Sequence, residues 1–69
     1  MTIGKQIQKY RKQNNMTQEQ MAEALGVSTA AVSKWETQVT CPDITMLAPL
    51  ARLLRITVDE LLDFRGELE

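Results

Sequence analysis

The chain has 69 residues, 43% of them hydrophobic and 25% charged, with a formal net charge of −1, which allows one small domain (1–69, core about 3–63). It has one cysteine, Cys41, and no histidine. An internal disulfide, an ordinary zinc site and histidine acid–base catalysis are thereby excluded. No apolar run reaches the ~18–20 residues of a membrane span and no secretory pattern is present, so the expected location is cytoplasmic.

Taken in order, the pattern predicts helices throughout. Thr2 is a suitable N-cap, and Ile3, Ile7, Tyr10 and Asn14 recur at helical spacing, giving a first helix over about Ile3 to Gln13. Asn14-Asn15 supplies a left-handed stop, since asparagine tolerates that region. Met16 stands where a hydrophobic staple belongs. Thr17 and Gln20 have the spacing of a capping box, so a second helix opens at Gln18. Met21, Ala22 and Leu25 form its apolar stripe, and Gly26 ends it.

Ser28 is a good N-cap for a third helix with Ala31, Val32 and Trp35 on one side. Thr29, Ala30, Ser33 and Lys34 fall on the other. Two short helices joined by a tight turn, the second exposing small polar side chains and one cation, suit a helix-turn-helix. Spacing from Val32 favours core packing of Trp35 over stacking on a base.

Residues 37–41 read as a loop. Pro42-Asp43 then opens a fourth segment with Ile44, Leu47, Leu50, Ala51 and Leu54 on its apolar face. Pro49 would forfeit a bond to the Thr45 carbonyl. This predicts either a kink or a short turn at 44–48 with the main helix starting near Pro49. Thr57 and Glu60 form a second capping box, followed by a short fifth helix with Val58, Leu61, Leu62 and Phe64; the tail Arg65–Glu69 is expected to fray.

Charge is distributed unevenly. Through Lys34 there are five cations (Lys5, Lys9, Arg11, Lys12, Lys34) against two anions; from Trp35 onward there are three against seven. Such a dipolar chain presents a positive face despite its acidic pI of about 5.3. Lys5, Lys9 and Lys12 read equally well as phosphate contacts or as a solvated helix face. Glu36, acidic at a helix C-terminus, needs a compensating cation. Arg11, close to the apolar edge of the first helix, is the candidate for a structural ion pair with it.

The segments IGKQIQKYRKQNNMTQEQMAEALGVSTAAVSKWE, PDITML and ITVDELL resemble the lambda-repressor-like, Xre/Cro-type helix-turn-helix family of bacterial and phage regulators. The resemblance covers about residues 3–63. It implies an all-α, five-helix fold with the third helix in the DNA major groove, Gln18 on a phosphate, and dimers on two half-sites. It also points to the Arg11–Glu36 pairing.

The expected function is therefore a sequence-specific DNA-binding domain of a bacterial or phage transcription regulator, a repressor, either whole or the N-terminal part of a longer protein. Ser28, Thr29, Ala30, Ser33 and Lys34 would face base edges. Thr17, Gln18, Thr37, Gln38 and Thr40, with Ser28, would hold phosphates. The partners are double-stranded DNA and a second copy on a near-palindromic operator, with Leu62, Phe64 and Leu68 as the expected dimer surface. No membrane segment, cofactor, metal or catalytic residue is expected.

Three features depart from the family. The 37–40 loop has neither cation nor glycine, leaving Gln38 in a slot suited to a left-handed residue. Arg55 stands where glycine or asparagine is usual, and Asp43 places a negative charge near the phosphate path. They predict weak, salt-dependent binding by a single copy. They also motivate the alternative, a protein-interaction module that keeps the fold without DNA binding.

Overall fold

Three of the helices begin on a side-chain cap, and four end on a left-handed residue. The computed structural model describes residues 3–63. Helix α1 spans Ile3–Gln13, α2 Gln18–Leu25, α3 Thr29–Glu36, α4 Leu47–Leu54 and α5 Val58–Leu61, and a 3-10 turn at Ile44–Met46 leads into α4. There is no strand among the described residues. The expectations for Thr2, Phe64, Leu68 and the tail from Arg65 lie outside them.

Both capping boxes form. The Thr17 hydroxyl accepts from the Gln20 amide while the Gln20 side chain accepts from the Thr17 N–H, and Thr57 and Glu60 repeat the arrangement. The Ser28 hydroxyl accepts from the Ala31 amide at 3.1 Å and opens α3.

Four helices stop in the same way, with one left-handed residue at Asn15 (φ 55°), Gly26 (73°), Gln38 (64°) and Arg55 (61°). In each case the next amide reaches back five residues: Met16 to the Arg11 carbonyl, Val27 to Ala22, Val39 to Lys34 and Ile56 to Ala51, at 2.9–3.1 Å. This is the Schellman geometry, which satisfies carbonyls that the helix end leaves over. Glycine and asparagine tolerate the position; Gln38 and Arg55 occupy it at a cost of about 1–2 kcal/mol each. Arg55→Gly is accordingly expected to stabilise the domain by about 1 kcal/mol, once glycine's extra unfolded-state entropy is subtracted, and to raise the midpoint of a urea melt. An unchanged or lowered midpoint would show that the Arg55 side chain contributes more than its backbone costs.

Pro49 does not kink α4. It sits in the first turn, where its missing N–H has no intrahelical acceptor to lose. The short turn precedes it at Ile44–Met46, and the helix starts at Leu47, two residues before the proline. The Asp43 carboxylate caps that turn, accepting from the Thr45 amide and hydroxyl, and these bonds hold its pKa below the ordinary value.

The core is contributed by every helix: Ile3 and Ile7 from α1, Met21 and Ala22 from α2, Val32 and Trp35 from α3, Leu50 and Leu54 from α4, and Leu61 from α5. Trp35 is 5% exposed, so it packs in the core and is not free to stack on a base. Two polar ties fix the outer edge of α1. The Gln6 amide donates to the Glu60 carbonyl at 3.0 Å, and the Asn14 amide donates to the Leu54 carbonyl at 3.3 Å.

Candidate nucleic-acid interface

The end of α3 is held from behind by a buried ion pair. Arg11 Nε donates to Glu36 Oε2 at 2.6 Å and Nη2 donates to Oε1 at 3.1 Å, a bidentate contact between α1 and the end of α3. The Glu36 side chain is only 2% exposed. Arg11 Nη1 donates onward to the Met16 carbonyl at 2.7 Å, just before α2, and Gln18 Nε2 donates to Glu36 Oε1 at 2.9 Å. Three elements thus meet on one carboxylate. Among the described residues no buried side-chain polar atom lacks a partner. Burial pushes the Glu36 carboxyl up, but hydrogen bonds from Arg11 and Gln18, with the charges of Arg11 and Lys12, outweigh it and hold its pKa below 4.5.

With Val32 and Trp35 locked in the core, the opposite side of α3 turns outward. Ser28, Thr29, Ala30 and Lys34 are exposed and Ser33 is half-buried. The largest side chain on this face is Lys34; the others are small enough for the helix backbone to approach base edges. The Ser28 and Thr17 hydroxyls act as acceptors inside their caps, which leaves each hydroxyl proton free to be donated outward.

The expected phosphate residues fall on two edges of this face. Thr17 and Gln18 stand at the start of α2, and Thr37, Gln38 and Thr40 in the loop after α3, all exposed except the half-buried Gln18. One N–H of the Gln18 amide is committed to Glu36, so only its second is available to a phosphate. Thr37 is turned inward: its hydroxyl donates to the Ser33 carbonyl at 3.0 Å, and its amide donates to the same carbonyl at 3.0 Å. It can meet a phosphate as a donor only by rotating that hydroxyl outward. The Thr40 amide closes the loop onto the Lys34 carbonyl at 3.3 Å.

Sequence reasoning missed Gly4. It is buried, and a Cβ there would overlap the Trp35 carbonyl oxygen and crowd Gln38 Cγ at 2.9 Å and the Glu36 carbonyl oxygen at 3.2 Å. The start of α1 therefore lies directly against the end of α3 and the loop beyond it. The available signal was a glycine three residues before Ile7 and seven before Arg11, on the inward face of a helix. It also missed the third Arg11 bond, to the Met16 carbonyl, which joins two backbone segments that the pattern treats as separate.

The helix-turn-helix family model matches residues 7–61. The HTH-type transcriptional activator BcrR of Enterococcus faecalis is 40% identical over 62 residues, covering 90% of this chain and 30% of its own length. The cryptic phage CTXphi transcriptional repressor RstR of Vibrio cholerae serotype O1 is 36% identical over 61 residues, covering 88% of this chain and 54% of its own. The chain thus spans about a third to a half of the curated relatives it matches. Among solved structures, the P22 c2 repressor in complex with a synthetic operator superposes with a TM-score of 0.82 at 31% identity, over 88% of this chain and 92% of that one. The SinR chain of a SinR–SinI complex gives the same score and identity over 97% of this chain and 66% of its own. On the match, the five helices and the central turn, this chain belongs to the lambda-repressor-like, Xre-type helix-turn-helix family.

Proposed function

We propose that the chain is a sequence-specific DNA-binding domain of a cytoplasmic bacterial or phage transcription regulator, acting by occupancy and not by catalysis. The observation that carries this reading is the split of α3 into a locked inner face (Val32, Trp35, Glu36) and an exposed face of small polar residues with one cation. A helix so held enters the major groove by its N-terminal end. Thr29 and Ser33 would bond either base type, the Ala30 methyl would meet a thymine methyl, and Lys34 would donate to guanine O6 or N7. Gln18, Ser28, Gln38 and Thr40 would hold phosphates and set the register. Support comes from the relatives named as transcriptional regulators and from the repressor–operator complex with the same fold.

One copy makes few such contacts, so tight binding would need two copies on half-sites ~34 Å apart. Helix α5 and Leu62, which is half-buried and packs against the core, are the described part of the expected dimer surface.

Selection from a random duplex pool, followed by single-base variants of the recovered site, tests the assignment. Lys34→Ala is expected to cost about 1–3 kcal/mol and to relax preference at one base position. Gln18→Ala should weaken all sites about equally, with the salt slope unchanged because the amide is neutral. If Lys34→Ala leaves the ranking of sites intact, the reading face is wrongly assigned. A chain that selects nothing and binds no duplex at low salt would favour the interaction module.

A further inference from the structure

The loop after α3 offers no cation: residues 37–41 are Thr, Gln, Val, Thr and Cys. If this domain binds DNA as proposed above, the charge that displaces counterions must come mostly from elsewhere. Helix α1 supplies a defined edge for it. Gly4 lies against Trp35, Glu36 and Gln38, and Arg11 is bonded to Glu36, so this side of α1 faces the end of α3. Gln6 and Asn14, bonded to Glu60 and Leu54, mark the side that faces α5 and α4. Each step of four residues advances about 40° around a helix. The row Gly4, Gln8, Lys12 therefore climbs outward from the α3 contact, and Lys5, seven residues before Lys12, lies beside it.

Gln8, Lys5 and Lys12 are exposed. Lys12 follows Arg11 in sequence, and its charge acts on the carboxylate that Gln18 touches. Lys5 follows Gly4, which is packed beneath Gln38. Along the axis of α1, Lys5 thus stands at the end packed against Gln38 and Lys12 at the end bonded to Glu36, one lysine at the level of each edge assigned to phosphate. Lys9 lies one further four-residue step, about 40°, beyond Lys5 and away from the α3 contact, and its Nζ is held 5.1 Å from the centroid of the Tyr10 ring.

We propose that Lys5 and Lys12 of α1 are backbone-contacting residues, extending the DNA interface beyond the helix-turn-helix and supplying the positive charge its loop lacks. Lys9 is not part of that surface.

The test is the salt dependence of binding to a labelled random-sequence duplex, where phosphate contacts operate without base readout. Lys5→Gln and Lys12→Gln should each make the slope of log affinity against log salt shallower by ~0.9. The parent's advantage over each variant should then shrink about 3-fold between ~50 and ~200 mM salt. Lys12→Arg should keep the parent slope, Lys9→Gln should match the parent, and the thermal melts of all four should overlay it. If Lys5→Gln and Lys12→Gln track Lys9→Gln while the parent binds duplex, this inference is overturned and the DNA-binding reading stands. A parent that binds no duplex at low salt overturns both.

Discussion

Arg11→Ala is expected to destabilise the domain by about 3–5 kcal/mol. The substitution leaves Glu36, whose side chain is 2% exposed, without its bidentate partner, and the Met16 carbonyl without its donor. Small domains have a net stability of only ~5 kcal/mol or a little more. Urea unfolding followed by circular dichroism measures the loss, and an unchanged midpoint would mean that the pair contributes nothing net.

The same pair sets the acid limit of the fold. Because the Glu36 pKa is lower in the folded chain than its ordinary 4.5, the folded state binds this proton less readily than the unfolded state does. The contribution is therefore fully present above about pH 4.5 and is lost as pH falls through the depressed folded value. Asp43, also lowered, acts in the same direction from an exposed position. Glu36→Gln should lower stability at neutral pH and flatten this acid limb; an acid limb as steep as the parent's would assign the titration to other carboxyls.

Gly4→Ala should also destabilise, against the usual helix preference. In an open helix alanine gains about 1 kcal/mol over glycine. Here the added Cβ meets the Trp35 backbone oxygen, with Gln38 Cγ and the Glu36 carbonyl oxygen close behind. A carbonyl in the last turn of α3 cannot swing aside as a flexible side chain can. Overpacking costs about 1–3 kcal/mol, and this obstacle argues for the upper end, so a net loss near 2 kcal/mol is expected. The accommodating movement would separate α1 from the loop bearing Gln38, so DNA affinity should fall with stability. Thermal melts beside duplex titrations measure both. A Gly4→Ala variant as stable as the parent would show that α1 can lift from α3 freely.

The helices and their ends were legible because their causes are local. Capping boxes at Thr17 and Thr57, the Ser28 cap and the stops at Asn15 and Gly26 each depend on residues within a few positions of one another, and periodicity placed Ile7, Val32, Trp35 and Leu54 inside. Part of the outward set on α3 followed from that same periodicity, since Ala30 and Lys34 fall opposite the buried Val32 and Trp35, whereas Thr29, three residues before Val32, is exposed in the first turn of the helix. Family likeness added the Arg11–Glu36 pairing, which the residues alone motivated only through an uncompensated acid at a helix end.

Tertiary packing decided what depends on distance between elements. No local rule says that Gly4 must lie under the Trp35 carbonyl, that the Gln18 amide bends back to Glu36, or that the Thr37 hydroxyl turns inward. Each is settled by how closely α1 and α2 approach the end of α3. The start of α4 is a further case: a proline is compatible with a kink or with a first turn, and only the packing of Leu50, Ala51 and Leu54 against the core puts Pro49 in the first turn. A sequence specifies which faces are apolar. Which backbone atoms then touch, and which polar groups must find partners there, is determined only when those faces close on one another.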